Sequence, residues 1–346
     1  MKILSIRDIL YKQRNISIKN TTQPTVAKMS YTSFRGQERT SLHNDICLIT
    51  SQKAKNIDRV APNYRNKIQI VFADIDGTLS SRNDNISETN VNAAKILNKS
   101  NVPLILTTAR CYDDTLPIIK ALGQKPEYTV VLQGGSIIDR EGKIITETPI
   151  NRKSGEKLID WYSKEFNSDK NSHLIMYFDD MPYSTDGIQF PWKSHKQIQK
   201  VKNFDELFNK DLKLQKAILY KVDANKTDGQ EIISKFKKAD IHELKIEQSG
   251  SKMFEFQNSN ISKDKAIQYI LDKQNISAKN TMVIGDSVND IEMLDYIKKN
   301  NGLAVAMGNA NNNVKQHANA ITKDVTNDGF SVVINDLFQD KLAVSK

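Results

Sequence analysis

The chain reads as an α/β protein: a Rossmann-like parallel-sheet core carrying an inserted α+β cap domain. Three observations predict it. Short apolar runs alternate with helix-patterned segments from Lys67 to Thr148. The alternation stops near Pro149, and paired strand patterns with isolated helices follow as far as Gln257. It then resumes and continues to about Asp340. The expected boundaries are 1–66 for an N-terminal segment, 67–148 with 258–340 for the core, and 149–257 for the cap.

Taken in order, IQIVFAD is a buried strand ending at Asp74. SETNVNAAKILNKS follows with Ser87 as cap and Val91, Ala94 and Leu97 at helical spacing. VPLILTTAR is a second apolar strand, and DDTLPIIKALG a helix closed by Gly123. TVVLQGG gives a strand, and SIIDREGKIITE a hairpin turning at Glu141-Gly142. In the insert, GEKLIDWYSKEF and DGQEIISKFKKA are helices. HLIMYFDD, PYSTD, LKLQKAILYKVD, HELKIEQSG and SKMFEFQ are its strands. DKAIQYILDKQ, TMVIGD, VNDIEMLDYI and GLAVAMGN return to the helix–strand alternation.

Composition excludes several classes. The net charge of +9 suggests nucleic-acid binding until its distribution is read. Residues 1–66 hold twelve Lys or Arg and four Asp or Glu, a net of +8, leaving +1 for the other 280 residues. The basic character belongs to the N-terminal segment, not to a groove in the body, so no nucleic acid is expected as partner. Its composition reads as a disordered tail, with a short apolar-basic stretch, KILSIRDILYK, able to form a turn or two of helix. An organelle transit peptide is the other reading, because the segment bears Arg and Ser and few acids. No apolar run has transmembrane length, so no membrane is expected either. Cys47 and Cys111, the only cysteines, make no metal cluster or disulfide framework. That fits a reducing compartment, and the expected location is the cytoplasm.

Chemistry concentrates at strand ends. VFADIDGTL and VIGDSVNDIEML each pass from an apolar run into an acidic turn. Buried carboxylates are costly without a cation between them, which points to a shared Mg²⁺ site facing a phosphate. Asp74 sits where its strand ends, where open α/β sheets bind ligands. Asp76 can face the same space, and Gly77 permits a tight turn with close backbone approach. An ordinary Asp/Gly turn reads equally from that motif alone. Thr107 and Thr108 close the next strand beside Arg110, as hydroxyl donors to a phosphoryl oxygen or as ordinary strand threonines. Lys263 precedes a helix. Asp286, Asn289 and Asp290 follow the last apolar strand, more polar groups than a helix cap needs.

Together these four strand ends resemble a phosphatase of the haloacid dehalogenase superfamily, Cof-type, with the large α+β cap of subfamily IIB. DIDGT, TTAR, SKDKA and GDSVNDIEML stand as its four motifs, and GLAVAMGNANNNVKQHANAITKDVTNDG resembles its tail. The resemblance runs from about Lys67 to Leu337. It implies Asp74 as nucleophile and Asp76 as general acid and base. It implies Thr108, Lys263 and Asn289 on the phosphate. Mg²⁺ would be held by Asp74, the Asp76 carbonyl and Asp286, with Asp290 and Gly77 supporting. The implied substrate is a small phosphorylated metabolite, a sugar phosphate by class. A glycoside-phosphate phosphatase and a weakly catalytic phosphate-binding regulator are the alternatives.

Three positions depart from the family pattern. Ala109 and Asp264 stand where Gly is usual, and Gln133 where Asn is common. Asp264 is expected to add negative charge beside Lys263. In the cap, His173, His195 and Trp161 read as structural, and Trp192 as a loop anchor or a stacking surface. Asp179 and Asp180 read as turn residues, and Cys111 as packing.

Overall fold

The computed structural model describes residues 54–81, 85–123, 125–166, 168–190, 196–225 and 228–343. Trp192, His195, Cys47 and the stretch KILSIRDILYK lie outside them. The core strands are β1 (Lys55–Asn56), β2 (Ile70–Ala73), β3 (Leu104–Thr107), β4 (Tyr128–Val131), β5 (Ser136–Asp139) and β6 (Ile144–Glu147). The cap adds β7 (Ser172–Phe178), β8 (Met181–Ser184), β9 (Gln199–Lys200), β10 (Leu214–Lys221), β11 (Leu244–Ser249) and β12 (Met253–Asn258). The core then closes with β13 (Thr281–Gly285), β14 (Leu303–Ala306) and β15 (Ala320–Ile321).

The core sheet has the order β1-β15-β14-β13-β2-β3-β4-β5-β6. It is parallel from β1 to β4 and ends in an antiparallel hairpin. The strands β2, β3, β4, β13 and β14 are buried throughout because both faces are covered, whereas the edge strands β1 and β6 are exposed or half-buried. Val71, Ala73, Met282 and Ile284 point to one face, under the helices Glu88–Lys99, Tyr112–Leu122 and Gly329–Ala343. Ile70, Phe72 and Val283 point to the other, under Lys263–Gln274 and Ile291–Lys299. Chain order reverses beside β2, which is flanked by β3 on one side and β13 on the other. That is the switch point where such sheets bind ligands.

The core starts earlier than the sequence reading has it. Lys55–Asn56 pairs with Ala320–Ile321, and Ile57, Val60 and Ala61 are buried with Phe330 and Val333. Residues 55–66 therefore belong to the fold, not to the basic segment. A two-residue strand and one helical turn carry no period to reveal them. The sequence reading also assigns no helix to 329–343, although Phe330, Val333, Ile334, Leu337 and Phe338 recur at helical spacing and are buried.

The cap is a six-stranded sheet, β11-β12-β10-β7-β8-β9, antiparallel except for β8 with β9. Its alternation separates two faces. Met176, Phe178, Leu219, Phe254 and Phe256 pack under the helices Arg152–Phe166 and Asp228–Lys238. Ile175, Tyr177, Ile218 and Tyr220 pack on Cys111, Val131 and Leu132 of the core. The cap sheet thus lies against the segments that follow β3 and β4.

Candidate active site

Asp74 follows β2 directly, its N–H donating to the Ile284 carbonyl at 3.0 Å, so the ends of β2 and β13 stay in register. Gly77 turns the chain at φ +84°. A Cβ on Gly77 would sit 2.4 Å from an Asp286 carboxylate oxygen, so only glycine lets these two loops meet.

Lys263 joins the two acidic turns. Its Nζ donates to Asp74 Oδ1 and Asp290 Oδ1, each at 2.7 Å, and all three side chains are buried. Burial works against the ammonium, but Asp290 and Asp74 hold its pKa above the ordinary lysine value. Asp290 Oδ2 accepts from the N–H groups of Asp286 and Ser287, forming a capping box. Asp286 accepts from Thr78 Oγ1 at 3.2 Å and Asn309 Nδ2 at 3.1 Å. Asn309 Nδ2 also reaches the Gly77 carbonyl at 2.9 Å, tying the loop after β14 to the same centre.

The carboxylates of Asp74, Asp286 and Asp290 each offer an oxygen within 4.8 Å of the others. One ammonium does not neutralise three of them. Burial pushes the Asp74 carboxyl well above its usual range, with Lys263 opposing and Asp290 adding to the shift. Burial, then the charge of Asp290, pushes Asp286 up to about 6. Both shifts describe acids short of positive charge. The donor set is all oxygen and fits a hard divalent cation. Asp290 accepts from Lys263 on one oxygen and from two backbone N–H groups on the other, whereas Asp286 accepts one bond on each oxygen and Asp74 one from Lys263, so Asp74 and Asp286 keep more capacity to ligate.

Asp76 projects to the edge of this cluster. Arg110 grips it with two bonds, Nε to Oδ2 at 2.8 Å and Nη2 to Oδ1 at 2.5 Å. Thr108 is buried, and its Oγ1 accepts from the Arg110 N–H at 3.1 Å. Asn289 occupies the turn before Asp290, and the contact it makes is with Ser287. The structure therefore joins Asp74, Asp286, Asp290 and Lys263 directly, with Gly77 between the loops. Arg110 links Asp76 and Thr108 to each other, and the charge of Asp76 reaches Asp286.

Sequence reasoning misses the grip of Arg110 on Asp76 and the hold of Thr78 and Asn309 on Asp286. Thr78 lies inside DIDGT, and Asn309 follows an apolar strand at the same sheet edge, so position alone could have flagged both. Of the departures, Ala109 is outside the left-handed region and is tolerated there. Burial, Asp290 and Asp74 dominate at Lys263, ahead of any effect of Asp264. Its Oδ2 accepts from Gln268, and its charge is felt by Glu292 and Tyr296 on the neighbouring helix. Leu132 and Gln133 take positive φ, 52° and 59°, before Gly134 at 93°. The bend presses Gly134 onto the Ser262 carbonyl, and Gln133 Nε2 donates to Glu247 Oε2 of the cap at 2.7 Å.

Trp161, His173, Asp179, Asp180 and Cys111 are held by packing, pairing and turns. Trp161 packs edge-on against Phe166, Phe236 and Phe256. His173 pairs with Asp186 at 2.6 Å beside the Tyr220 ring. Asp179 and Asp180 turn the chain at positive φ, and Asp180 also binds Lys196 at 2.9 Å. Cys111 is buried, which raises its thiol pKa and leaves it unreactive.

A doubly wound sheet carries a lysine-bridged acid cluster at its switch point, where sheets of this class bind their ligands. Residues 71–334 match the family described as haloacid dehalogenase-like hydrolase, and the chain belongs to that family. It is similar to Phosphatase YwpJ of Bacillus subtilis, 23% identical, covering 77% of this chain and 97% of that protein. It is also similar to the 5-amino-6-(5-phospho-D-ribitylamino)uracil phosphatase YwtE of the same organism, 24% identical, covering 80% of this chain and all of that one. A haloacid dehalogenase-like hydrolase from Bacteroides thetaiotaomicron shares the fold, with TM-score 0.66, 19% identity, and coverage of 78% and 100%. A Thermotoga maritima structure does so with TM-score 0.65, 22% identity, and coverage of 78% and 97%. The chain is an enzyme, a phosphatase of this family. Among the described residues, no helix is long and apolar enough to cross a membrane.

Proposed function

We propose that this protein is a cytoplasmic, Mg²⁺-dependent phosphomonoester hydrolase. It acts on a small phosphorylated metabolite of the sugar-phosphate class through an aspartyl-phosphate on Asp74. The observation that carries the reading is the Lys263 bridge between Asp74 and Asp290, set against Asp286 at adjoining strand ends. A buried ammonium fixes the nucleophile and leaves the remaining negative charge for a cation. Two relatives are named for a phospho-ribitylamino substrate, which supports a small phosphorylated metabolite.

An Asp74 oxygen attacks phosphorus, and the bond to the leaving oxygen breaks. Asp76 gives that oxygen a proton. Asp76 then takes a proton from water, whose oxygen attacks phosphorus. The bond to Asp74 breaks, releasing phosphate. Asp76 must exchange Arg110 for the leaving oxygen to do this, since Arg110 holds both its carboxylate oxygens. Thr108, Lys263 and Asn289 hold the phosphoryl oxygens. Mg²⁺ would be held by Asp74, the Asp76 carbonyl and Asp286, with Asp290 supporting. When bound, it neutralises charge on the phosphoryl group. A cap that closes over the site excludes water.

The test is a panel of phosphorylated metabolites with p-nitrophenyl phosphate, with and without Mg²⁺. Turnover should require the cation, and Asp74→Asn should lower it by at least about 10³-fold. Phosphate binding without turnover on any substrate would make the protein a phosphate-binding regulator instead.

A further inference from the structure

The residue ahead of Thr108 carries a buried hydroxyl that the fold does not use. Thr107 ends β3 and is fully buried. Among the described residues, its Oγ1 has no hydrogen-bond partner. Thr108, by contrast, accepts from the Arg110 N–H. Valine has nearly the shape of threonine and suits a strand as well, so neither packing nor strand formation requires the hydroxyl. Buried polar groups in native structures are rarely without a partner, and each exception requires an explanation.

Its place in the sheet supplies one. On β3, Leu104 and Leu106 point to one face of the sheet and Ile105 to the other, so alternation turns Thr107 to the face of Ile105. On β2, Val71 and Ala73 point to the first face and Ile70 and Phe72 to the second, so Asp74 follows Phe72. Thr107 and Asp74 therefore share the face under the helix Lys263–Gln274, where Lys263 reaches Asp74. β2 and β3 run in parallel with Ala73 opposite Leu106. One residue on, Asp74 stands opposite Thr107. Neighbouring strands lie about 4.8 Å apart, within reach of two such side chains. Among the described residues, the Asp74 carboxylate accepts one hydrogen bond, from Lys263 to Oδ1.

We infer that Thr107 is a second donor to Asp74, engaged when the aspartyl-phosphate breaks down. The inference rests on the aspartyl-phosphate reading above and deepens it. In the ester, one Asp74 oxygen is held on phosphorus. The oxygen of water attacks phosphorus, and its proton passes to Asp76. The bond from phosphorus to Asp74 breaks, its electron pair going to the carboxyl. Negative charge then returns to both Asp74 oxygens, and Lys263 serves one of them. The Thr107 O–H donates to the other without giving up its proton. A donor that engages as charge develops speeds that step and leaves substrate binding alone. Attack by Asp74 draws charge out of the carboxyl, so the first step gains nothing from it.

The test follows one turnover of phosphorus-radiolabelled p-nitrophenyl phosphate with Mg²⁺, by rapid acid quench, in wild type, Thr107→Val and Thr107→Ser. Thr107→Val should slow the decay of labelled protein by at least about tenfold. Its formation should slow by less than about twofold. Thr107→Ser keeps a hydroxyl and should decay within about threefold of wild type. The melting midpoint of Thr107→Val should hold or rise, since the change removes an unpaired buried hydroxyl. Decay at the wild-type rate in Thr107→Val would overturn the inference. So would equal slowing in both variants, or equal slowing of formation and decay, either of which assigns Thr107 a packing role. Turnover with no labelled protein in any of the three would instead fail the aspartyl-phosphate reading itself, and the inference with it.

Discussion

Two buried polar clusters, one in the core and one in the cap, are built by opposite rules. In the core, Lys263 bonds Asp74 and Asp290, and Asp290 caps Asp286 and Ser287. Asp286 is held by Thr78 and Asn309. In the cap, Gln257 and Glu255 are as deeply buried but keep atoms without partners. A site for an invariant group can be completed by the protein, and its side chains stay oriented before anything binds. The cap pair leaves its bonds unmade. The electrostatics divide the same way. Burial raises the Asp74 and Asp286 carboxyls. In the cap, hydrogen bonds lower those of Asp169 and Asp223.

The largest effect should come from breaking the completed cluster. Lys263→Met keeps the length of the side chain but leaves Asp74 and Asp290 facing each other without a cation. Removing one partner of a buried ion pair costs about 3–5 kcal/mol. Urea denaturation at neutral pH should show a loss of that size, shrinking in acid as the Asp74 carboxyl, whose pKa burial raises, takes up a proton. A loss under about 1 kcal/mol at neutral pH would mean that the core cluster is no better tied than the cap one.

The same division decides what could be read from the sequence. Asp74, Asp76, Asp286 and Asp290 stand in two contiguous strand-end motifs, so local order announces them. Lys263 becomes meaningful only beside them, because a lysine ahead of a helix is ordinary on its own. Arg110 is visible but its target is not, since the grip on Asp76 spans 34 positions. Glu255 and Gln257 are harder still. Alternation along MFEFQN separates apolar from polar positions. A polar face reads as solvated until tertiary packing covers it. The fold behaves likewise: most periodic strands and helices are legible, the helix Gly329–Ala343 aside, whereas β1 and β15 exist only because they pair with each other and with β14.

A pair of glycines sharpens the contrast by a smaller amount. Gly77 in the core and Gly250 in the β11–β12 turn have φ of 84° and 76°. A Cβ at Gly250 meets nothing within 4 Å, whereas one at Gly77 strikes the Asp286 carboxylate. Gly250→Ala should therefore show only left-handed strain, about 1–2 kcal/mol. Gly77→Ala adds the displacement of Asp286, and overpacking of this kind costs a further ~1–3 kcal/mol. Thermal melts with and without Mg²⁺ check this. Wild type and Gly250→Ala should gain stability from the cation, and Gly77→Ala should gain little. Equal cation-dependent shifts in all three would show that Asp286 does not hold the metal.

The smallest effect lies on the cap's outer surface. Hydrogen bonds from Lys221 first, then Ser172 and the Asn171 N–H, hold the Asp169 carboxyl at about 2, against an ordinary 3.8. A carboxyl depressed in the folded state stabilises the fold above its unfolded pKa. That stabilisation is lost as pH falls through the folded value. The window is therefore about pH 4 down to about 2. Asp169 lies near the surface, so solvent screening limits the contribution to under about 1 kcal/mol. Stability against pH for wild type and Asp169→Asn should differ above about pH 4 and converge toward about pH 2. The two curves running parallel down to pH 2 would mean that Lys221 confers nothing on Asp169 beyond proximity. The cap's surface carboxylates would then titrate as isolated groups, and the electrostatic half of the contrast with the core would fall.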